Sequence, residues 1–277
     1  MRIYAVCILS ILACLYPTVV SDGENVTENI QIALHFAPQY TVENIQAYRA
    51  LLADLQKSSA TCDLPQKEGP RFFSGPAGVE KMTEPMLALV FQVHKQLLTD
   101  DSFVQHVAGM IEHDNKDVES VNVVPTEWGG LGTVGSTIEF LPIPSQGRYQ
   151  LIGGFPVHTE QLSLSSQQQL LPNESYALPD WAKRIPHVCE FHIHTDPFDK
   201  HGDTLCRPSY FEEDGAYKKD LGVAINSAIG GVPHNHIIFA KLPNRTFSVV
   251  YFGSDVDEQG NWFVVVISLE NVSYQYN

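Results

Sequence analysis

The spacing of hydrophobic residues changes partway along the chain. Over residues 41–57, 83–99 and 100–113, hydrophobic positions recur every three to four residues, which is the period of one helix face. Thr83 stands where an N-cap residue is expected, directly before the second of these segments. The pattern predicts a helical N-terminal region over residues 22–115.

From about residue 117, short runs rich in Val, Ile, Phe and Tyr alternate with turn signals such as PSQG and DEQGN. This pattern is typical of β-strands. One further helix, over residues 212–228, is predicted to interrupt the strands. Residues 116–277 therefore predict a domain of the α+β class that follows the helical region.

The N-terminus has the features of a secretory signal peptide over residues 1–21. Arg2 precedes an apolar core, and small residues precede Asp22. No later stretch approaches the roughly 20 apolar residues of a membrane span. We therefore expect a secreted or lumenal protein with no membrane insertion after cleavage. The chain has four N-x-S/T sequons, which are predicted glycosylation sites: Asn25, Asn173, Asn244 and Asn271.

The charge of the chain limits its partners. There are 17 Lys and Arg residues against 32 Asp and Glu residues, and the formal net charge is −15. Such a surface repels phosphate backbones and anionic lipid headgroups. Nucleic acid is therefore not expected as a partner.

Three cysteines lie outside the predicted signal peptide, so at most one internal disulfide can form. We predict that it joins Cys189 to Cys206 and leaves Cys62 as a free thiol. The alternative is that Cys189 and Cys206 are two unrelated buried thiols.

The segment VCEFHIHTD contains the strongest candidate for chemistry. His192 and His194 are two residues apart in a predicted strand, so their side chains point to the same face. Two imidazoles in one small volume are well suited to binding a metal. A zinc hydrolase also needs a third ligand, a carboxylate base and a donor for the oxyanion.

The order of these residues resembles that of the JAMM/MPN-type (JAB-domain) metalloproteases. That family has an early Glu, then His-x-His at a strand end, then Ser-x-x-Asp opening a helix. Here the order is Glu127 in TEWGGLG, His192-Ile-His194, and PSYFE at 208–212. The resemblance covers about residues 105–255. It implies a JAB/MPN-like domain with a curved mixed β-sheet and flanking helices.

The resemblance also implies a site and an activity. One Zn²⁺ would be held by His192, His194 and either Glu212 or Asp214. Glu127 would be the general base and Ser209 the oxyanion donor. The implied reaction is hydrolysis of a peptide or isopeptide bond in a peptide or protein substrate.

Two alternatives remain open from the sequence. The protein is a secreted glycoprotein that serves recognition alone, with a decayed metal site, or it is an iron-dependent oxygenase with a double-stranded β-helix. The oxygenase would use the two-His-one-carboxylate set of His194, Asp196 and either His234 or His236. Outside that hypothesis, His234 and His236 are interpreted as surface histidines at the start of a strand.

Overall fold

The structure is a computed structural model. It describes residues 42–58, 70–121, 128–134, 137–143, 149–152, 155–158, 178–194, 208–209, 211–213 and 216–275. The predicted signal peptide lies outside the described residues. So do Asn25, Asn173, Glu127, Asp214, Cys62 and Cys206.

The helices predicted in the N-terminal part are confirmed. They are α1 (Val42–Ser58), α3 (Glu84–Thr99) and α4 (Asp101–Val121), and a short helix, α2 (Gly75–Lys81), precedes α3. The helix α4 is longer than its hydrophobic pattern indicated. A fifth helix, α5 (Lys219–Ile229), lies in the C-terminal part of the chain.

Eleven strands are described. They are β1 (Arg71–Ser74), β2 (Trp128–Val134), β3 (Ile138–Ile143), β4 (Tyr149–Ile152), β5 (Phe155–His158), β6 (Cys189–His194), β7 (Phe211–Glu213), β8 (Ala216–Lys218), β9 (His234–Leu242), β10 (Thr246–Val256) and β11 (Trp262–Ser273). Seven of them form one sheet in the order β1-β11-β10-β9-β6-β2-β3. The sheet is mixed, because β1 pairs parallel with β11 and β6 parallel with β9. Helices together with a mixed sheet confirm the α+β class.

The two faces of the sheet are covered differently. Helices α1 to α4 pack on one face, where Phe191, Phe239 and Tyr251 belong to the larger hydrophobic core. Helix α5 packs on the other face through Leu221 against Ile238 and neighbouring residues of a smaller core. Because residues alternate along a strand, β6 and β9 contribute side chains to both faces.

The described residues on both sides of the predicted domain boundary share the larger core. The boundary between residues 115 and 116 falls inside α4. In addition, β1 comes from the N-terminal part of the chain and pairs with β11, with Arg71 opposite Phe263. The N-terminal helices are therefore packed against the sheet that carries the histidine pair.

The helix predicted over residues 212–228 is wrong in its first half. Strands β7 and β8 pair as a short antiparallel hairpin, with Glu212 opposite Tyr217, and the helix begins only at Lys219. The sequence Asp-Gly between the two strands is a strong hairpin signal. That local signal prevails over the helical spacing of the residues around it.

The predicted Cys189–Cys206 disulfide is not seen, because Cys189 is a free, buried thiol in this structure. Cys189 belongs to the larger hydrophobic core under the N-terminal helices. In β6 it alternates with Glu190 and His192, so it points away from the face that carries the histidines.

Two of the predicted glycosylation sites are described, and both are exposed. Asn244 lies in the turn between β9 and β10 with a φ of 63°, and Asn271 lies on β11. Their glycosylation stays a prediction. Among the described residues, no helix is both long and apolar enough to cross a membrane.

Candidate metal centre

Strand β6 places the predicted histidine pair on the face of the sheet that α5 covers. His192 and His194 are almost completely buried, while Phe191 and Ile193 between and beside them enter the opposite core. The Nε2 atoms of the two histidines lie 2.8 Å apart. The strand alternation predicted from the sequence is therefore confirmed, and both imidazoles point into one small volume.

A glycine in the neighbouring strand permits this packing. Gly129 of β2 pairs with His192 of β6. A Cβ atom at Gly129 would lie 2.0 Å from the carbonyl oxygen of Phe191 and 2.9 Å from the Cβ of His192. The absence of a side chain lets β2 approach the backbone beside the histidine pair.

The described carboxylate that completes this group is Asp220, in the first turn of α5. Its Oδ1 lies 3.6 Å from the Nε2 of His192, and its Oδ2 lies 3.5 Å from the Nε2 of His194. Zinc bonds nitrogen and oxygen ligands at about 2.0–2.2 Å, so the edges of a tetrahedral site measure about 3.3 Å. The separation of the two Nε2 atoms is a hydrogen-bond distance and is shorter than that edge, while the two carboxylate distances, which end at different oxygens, are slightly longer. The three side chains are close enough together that they could hold a metal ion after small shifts.

Ser209 supports Asp220. The backbone N–H of Ser209 donates to the Oδ2 of Asp220 at 2.7 Å, and its hydroxyl donates to the same oxygen at 2.8 Å. These two bonds fix the carboxylate at the end of α5. They also give the hydroxyl of Ser209 a partner other than a substrate, so its role as an oxyanion donor stays a prediction.

The charge state of Asp220 suits a metal ligand. Burial by itself raises the pKa of the carboxyl group, but the nearby His192 and His194 outweigh that effect and hold the pKa well below its usual range. Asp220 is therefore a carboxylate near neutral pH, as metal binding requires.

A third histidine contacts the pair from β9. The Nε2 of His236 lies 2.6 Å from the Nδ1 of His192, within hydrogen-bonding distance. The ring of His236 stacks on Phe252 with a centroid distance of 4.7 Å. On its other side, the Nδ1 of His236 lies 3.9 Å from the Oε2 of Glu190. If His192 gives its Nε2 lone pair to a metal, its proton stays on Nδ1 and is donated to His236.

The interpretation of His234 and His236 as surface histidines is wrong. Both are buried, with only 9% and 7% of their surface exposed. The parallel pairing of β6 with β9 places His236 opposite Glu190, and this long-range contact brings the second His-x-His motif beside the first. Burial lowers the pKa of His234 to about 4 and also lowers that of His236, so both rings are neutral near pH 7.

The remaining predicted site residues are not brought into this group by the described part of the chain. Glu127 and Asp214 lie outside it. The backbone of Glu212 belongs to β7, but its side chain is not among the described ones. Asp220 was missed, because the helix was predicted to begin at residue 212, which placed Glu212 and Asp214 in its first turn, whereas it begins at Lys219.

Comparisons with protein-family models, with curated proteins and with solved structures give no match. The geometry of the candidate metal centre and the sequence pattern are therefore the basis for a function.

Proposed function

We propose that this protein is a secreted zinc-dependent hydrolase of peptide or isopeptide bonds, divergent from the JAMM/MPN-type (JAB-domain) metalloproteases. The observation that supports this most directly is the convergence of His192, His194 and Asp220 in one buried group. Two histidines and a carboxylate form a common ligand set of catalytic zinc, and they leave a fourth position for water or substrate.

The proposal assigns the third ligand to Asp220 rather than to Glu212 or Asp214. In the family pattern, an Asp that opens a helix follows a Ser. Here Asp220 lies in the first turn of α5, and Ser209 donates two hydrogen bonds to it. The β7–β8 hairpin separates the two residues along the chain. An insertion of this kind explains why the usual spacing is absent from the sequence while the Ser–Asp contact is present.

The chemistry requires a base near the zinc-bound water. Zinc, when bound, lowers the pKa of its water ligand to about 7. Glu127 is the proposed base, which takes that proton and passes it to the leaving amine. Glu127 lies outside the described residues, one position before Trp128, and Trp128 pairs with Ile193 between the two histidines.

The proposed substrate class is a peptide or protein, and the proposed location is extracellular or lumenal. The class of bond follows from the family resemblance. The location follows from the predicted signal peptide and the four sequons. The acidic surface of the chain favours substrates that are not strongly acidic themselves, because like charges repel on approach.

The first test measures zinc. The purified secreted protein should contain tightly bound zinc, and His194→Asn with Asp220→Asn should remove this ion. Asp101→Asn is the matched control, because Asp101 is an exposed residue of α4 on the other side of the sheet. Retention of the tight ion by the double variant would show that the group is not the zinc site.

The second test separates an enzyme from a recognition protein. Peptide and isopeptide libraries should reveal cleavage by the wild type. Glu127→Gln should keep the tight zinc and lose at least about 10²-fold in rate, as expected for a general base. Tight zinc without any cleavage would favour the recognition protein, and cleavage that survives Glu127→Gln would refute the proposed mechanism.

The iron oxygenase alternative gains no support from the fold. The described strands form one mixed sheet with helices on both faces and two separate hairpins. A double-stranded β-helix is built differently. His234 and His236 also lie in a separate group with Glu190, and Asp196 is outside the described residues.

A further inference from the structure

A second group of metal-ligating side chains lies next to the first. It consists of Glu190 on β6 and of His234 and His236 on β9, and their ligand atoms all lie within 4.8 Å of one another. Glu190 is two residues from His192, so it shares the face of β6 that carries the histidine pair. The second group therefore lies on the same face of the sheet as the first and directly beside it.

Two ring nitrogens of this group lack hydrogen-bond partners. Within the described part of the chain, neither the Nε2 of His234 nor the Nδ1 of His236 has one, although both atoms are buried. A buried polar atom without a partner costs about 1–3 kcal/mol. Nothing in the zinc centre described above uses His234, which makes no hydrogen bond with His192, His194 or Asp220 in this structure.

The arrangement is close to that of a metal site. Phe252 stacks on His236 and fixes the ring of that ligand. The distance of 3.9 Å between Glu190 Oε2 and His236 Nδ1 exceeds a tetrahedral zinc edge of about 3.3 Å, and all separations in the group are within 4.8 Å, so the three side chains must draw together slightly to hold an ion. An ion bound there would satisfy both unpartnered nitrogens at once.

We propose that Glu190, His234 and His236 form a second site for a divalent transition-metal ion of the zinc type. Two imidazoles and one carboxylate match the ligand preferences of zinc in proteins. The site goes beyond the proposed hydrolase, because it needs neither catalysis nor the first ion.

The contact between His192 and His236 couples the two sites. Two neutral imidazoles carry one proton each. When His192 Nε2 and His236 Nδ1 both bind metal ions, both protons are left for His192 Nδ1 and His236 Nε2, which face each other at 2.6 Å. Two N–H groups cannot point at each other at this distance, so the two rings must move apart before both sites are filled. The second ion therefore binds more weakly than the first.

The test is a titration of the metal-free full chain with Zn²⁺. Calorimetry counts the bound ions, and competition with chelators of known affinity measures how tightly each ion binds. The wild type should bind two ions, the second at least about tenfold more weakly. His234→Gln should lose the weaker ion and keep the tighter one within about threefold. His234 has a ring contact with His236. A role limited to orienting His192 through His236 would weaken the tighter ion instead of removing the weaker one.

Two further variants make the assignment independent of any one substitution. Glu190→Gln, which is nearly isosteric, should also lose the weaker ion. His194→Asn with Asp220→Asn should lose the tighter ion. It should bind the remaining ion more strongly than the wild type binds its second, because His192 and His236 no longer have to move apart. His106→Gln, at an exposed histidine of α4, is the control for adventitious binding and should match the wild type.

The proposal is overturned if His234→Gln and Glu190→Gln both bind as many ions as the wild type, because no ion then depends on this group. Failure of the hydrolase proposal looks different. It would leave the weaker ion unchanged and show no tight ion that depends on His194 and Asp220.

Discussion

The two faces of strand β6 are built from neighbouring residues and have opposite properties. Cys189, Phe191 and Ile193 enter a core formed with the N-terminal helices. Glu190 and its neighbouring histidines face α5 and carry the candidate metal ligands. On the first face, aromatic rings pack edge to face, with Phe140 and Phe191 at a centroid distance of 5.1 Å.

The difference shows that one face of β6 contributes mainly to stability and the other carries the candidate metal ligands. The apolar face is well packed and rich in aromatic contacts. The polar face buries His234 and His236 without full hydrogen bonding, which costs free energy in the metal-free protein. A rigid apolar face is what holds such a group in position, because the same backbone supports both sets of side chains.

The largest effect is expected from damage to the apolar face. Phe191 is completely buried, with Phe140 and Phe239 as ring neighbours. Phe191→Ala should lower the free energy of unfolding by about 3–5 kcal/mol, because it removes apolar contact and leaves a cavity. Denaturant unfolding followed by circular dichroism measures the loss.

Phe191→Leu is the matched control and should lose less than half as much, because it keeps most of the apolar volume. Below the unfolding transition, both variants should still bind zinc with the wild-type stoichiometry. If Phe191→Ala abolished zinc binding while leaving the stability unchanged, the separation of the two faces would be wrong.

Acid should lower the free energy of unfolding of the metal-free protein through the buried histidines of the polar face. Burial lowers the pKa of His234 to about 4 from an ordinary value of 6.5. Its contribution to stability is therefore complete above pH 6.5 and is lost as the pH falls toward 4, by up to about 3 kcal/mol. His236, whose pKa is also lowered by burial, acts in the same direction. Glu190 offsets part of the loss, because burial raises its pKa, so that as the pH falls the folded protein takes up this proton before the unfolded chain does.

Denaturant unfolding at several pH values between 7 and 4.5, with a chelator present, measures this loss. His234→Gln should flatten the pH dependence, because it removes the buried imidazole. His106→Gln should keep the wild-type slope. An unchanged slope in His234→Gln would show that the buried histidine is not its cause.

The sequence predicted the parts of this site that depend on local pattern. Alternation in one strand was enough to place His192 and His194 on a common face, and helical spacing was enough to find α1, α3 and α4. Asp220 was missed because a hairpin separates it from Ser209, and the sequence pattern was matched only to acids close to Ser209. Hairpin insertion changes distance along the chain without changing distance in space.

The second His-x-His motif was misinterpreted for a different reason. His234 and His236 begin β9, and a strand start is often exposed, so surface positions were the simplest interpretation. Their burial depends on the parallel pairing of β9 with β6, in which His192 and His236 meet at a sequence separation of 44. Parallel pairing requires a long crossover, and its register is not encoded by any local signal.

The smallest effect is expected at Cys189. This residue tests whether solvent and reagents are excluded from the apolar face of β6. Burial raises the pKa of its thiol to about 12, and a Cβ atom at Gly132 would lie 2.4 Å from its Sγ. A thiol reagent at pH 8 should therefore label Cys189 only after unfolding, because the thiolate is the reactive form. Cys189→Ala should cost only about 1 kcal/mol, because it removes one small buried group, and should leave zinc binding unchanged. Non-reducing peptide mapping that found Cys189 linked to Cys206 would contradict the free thiol and restore the disulfide predicted from the sequence.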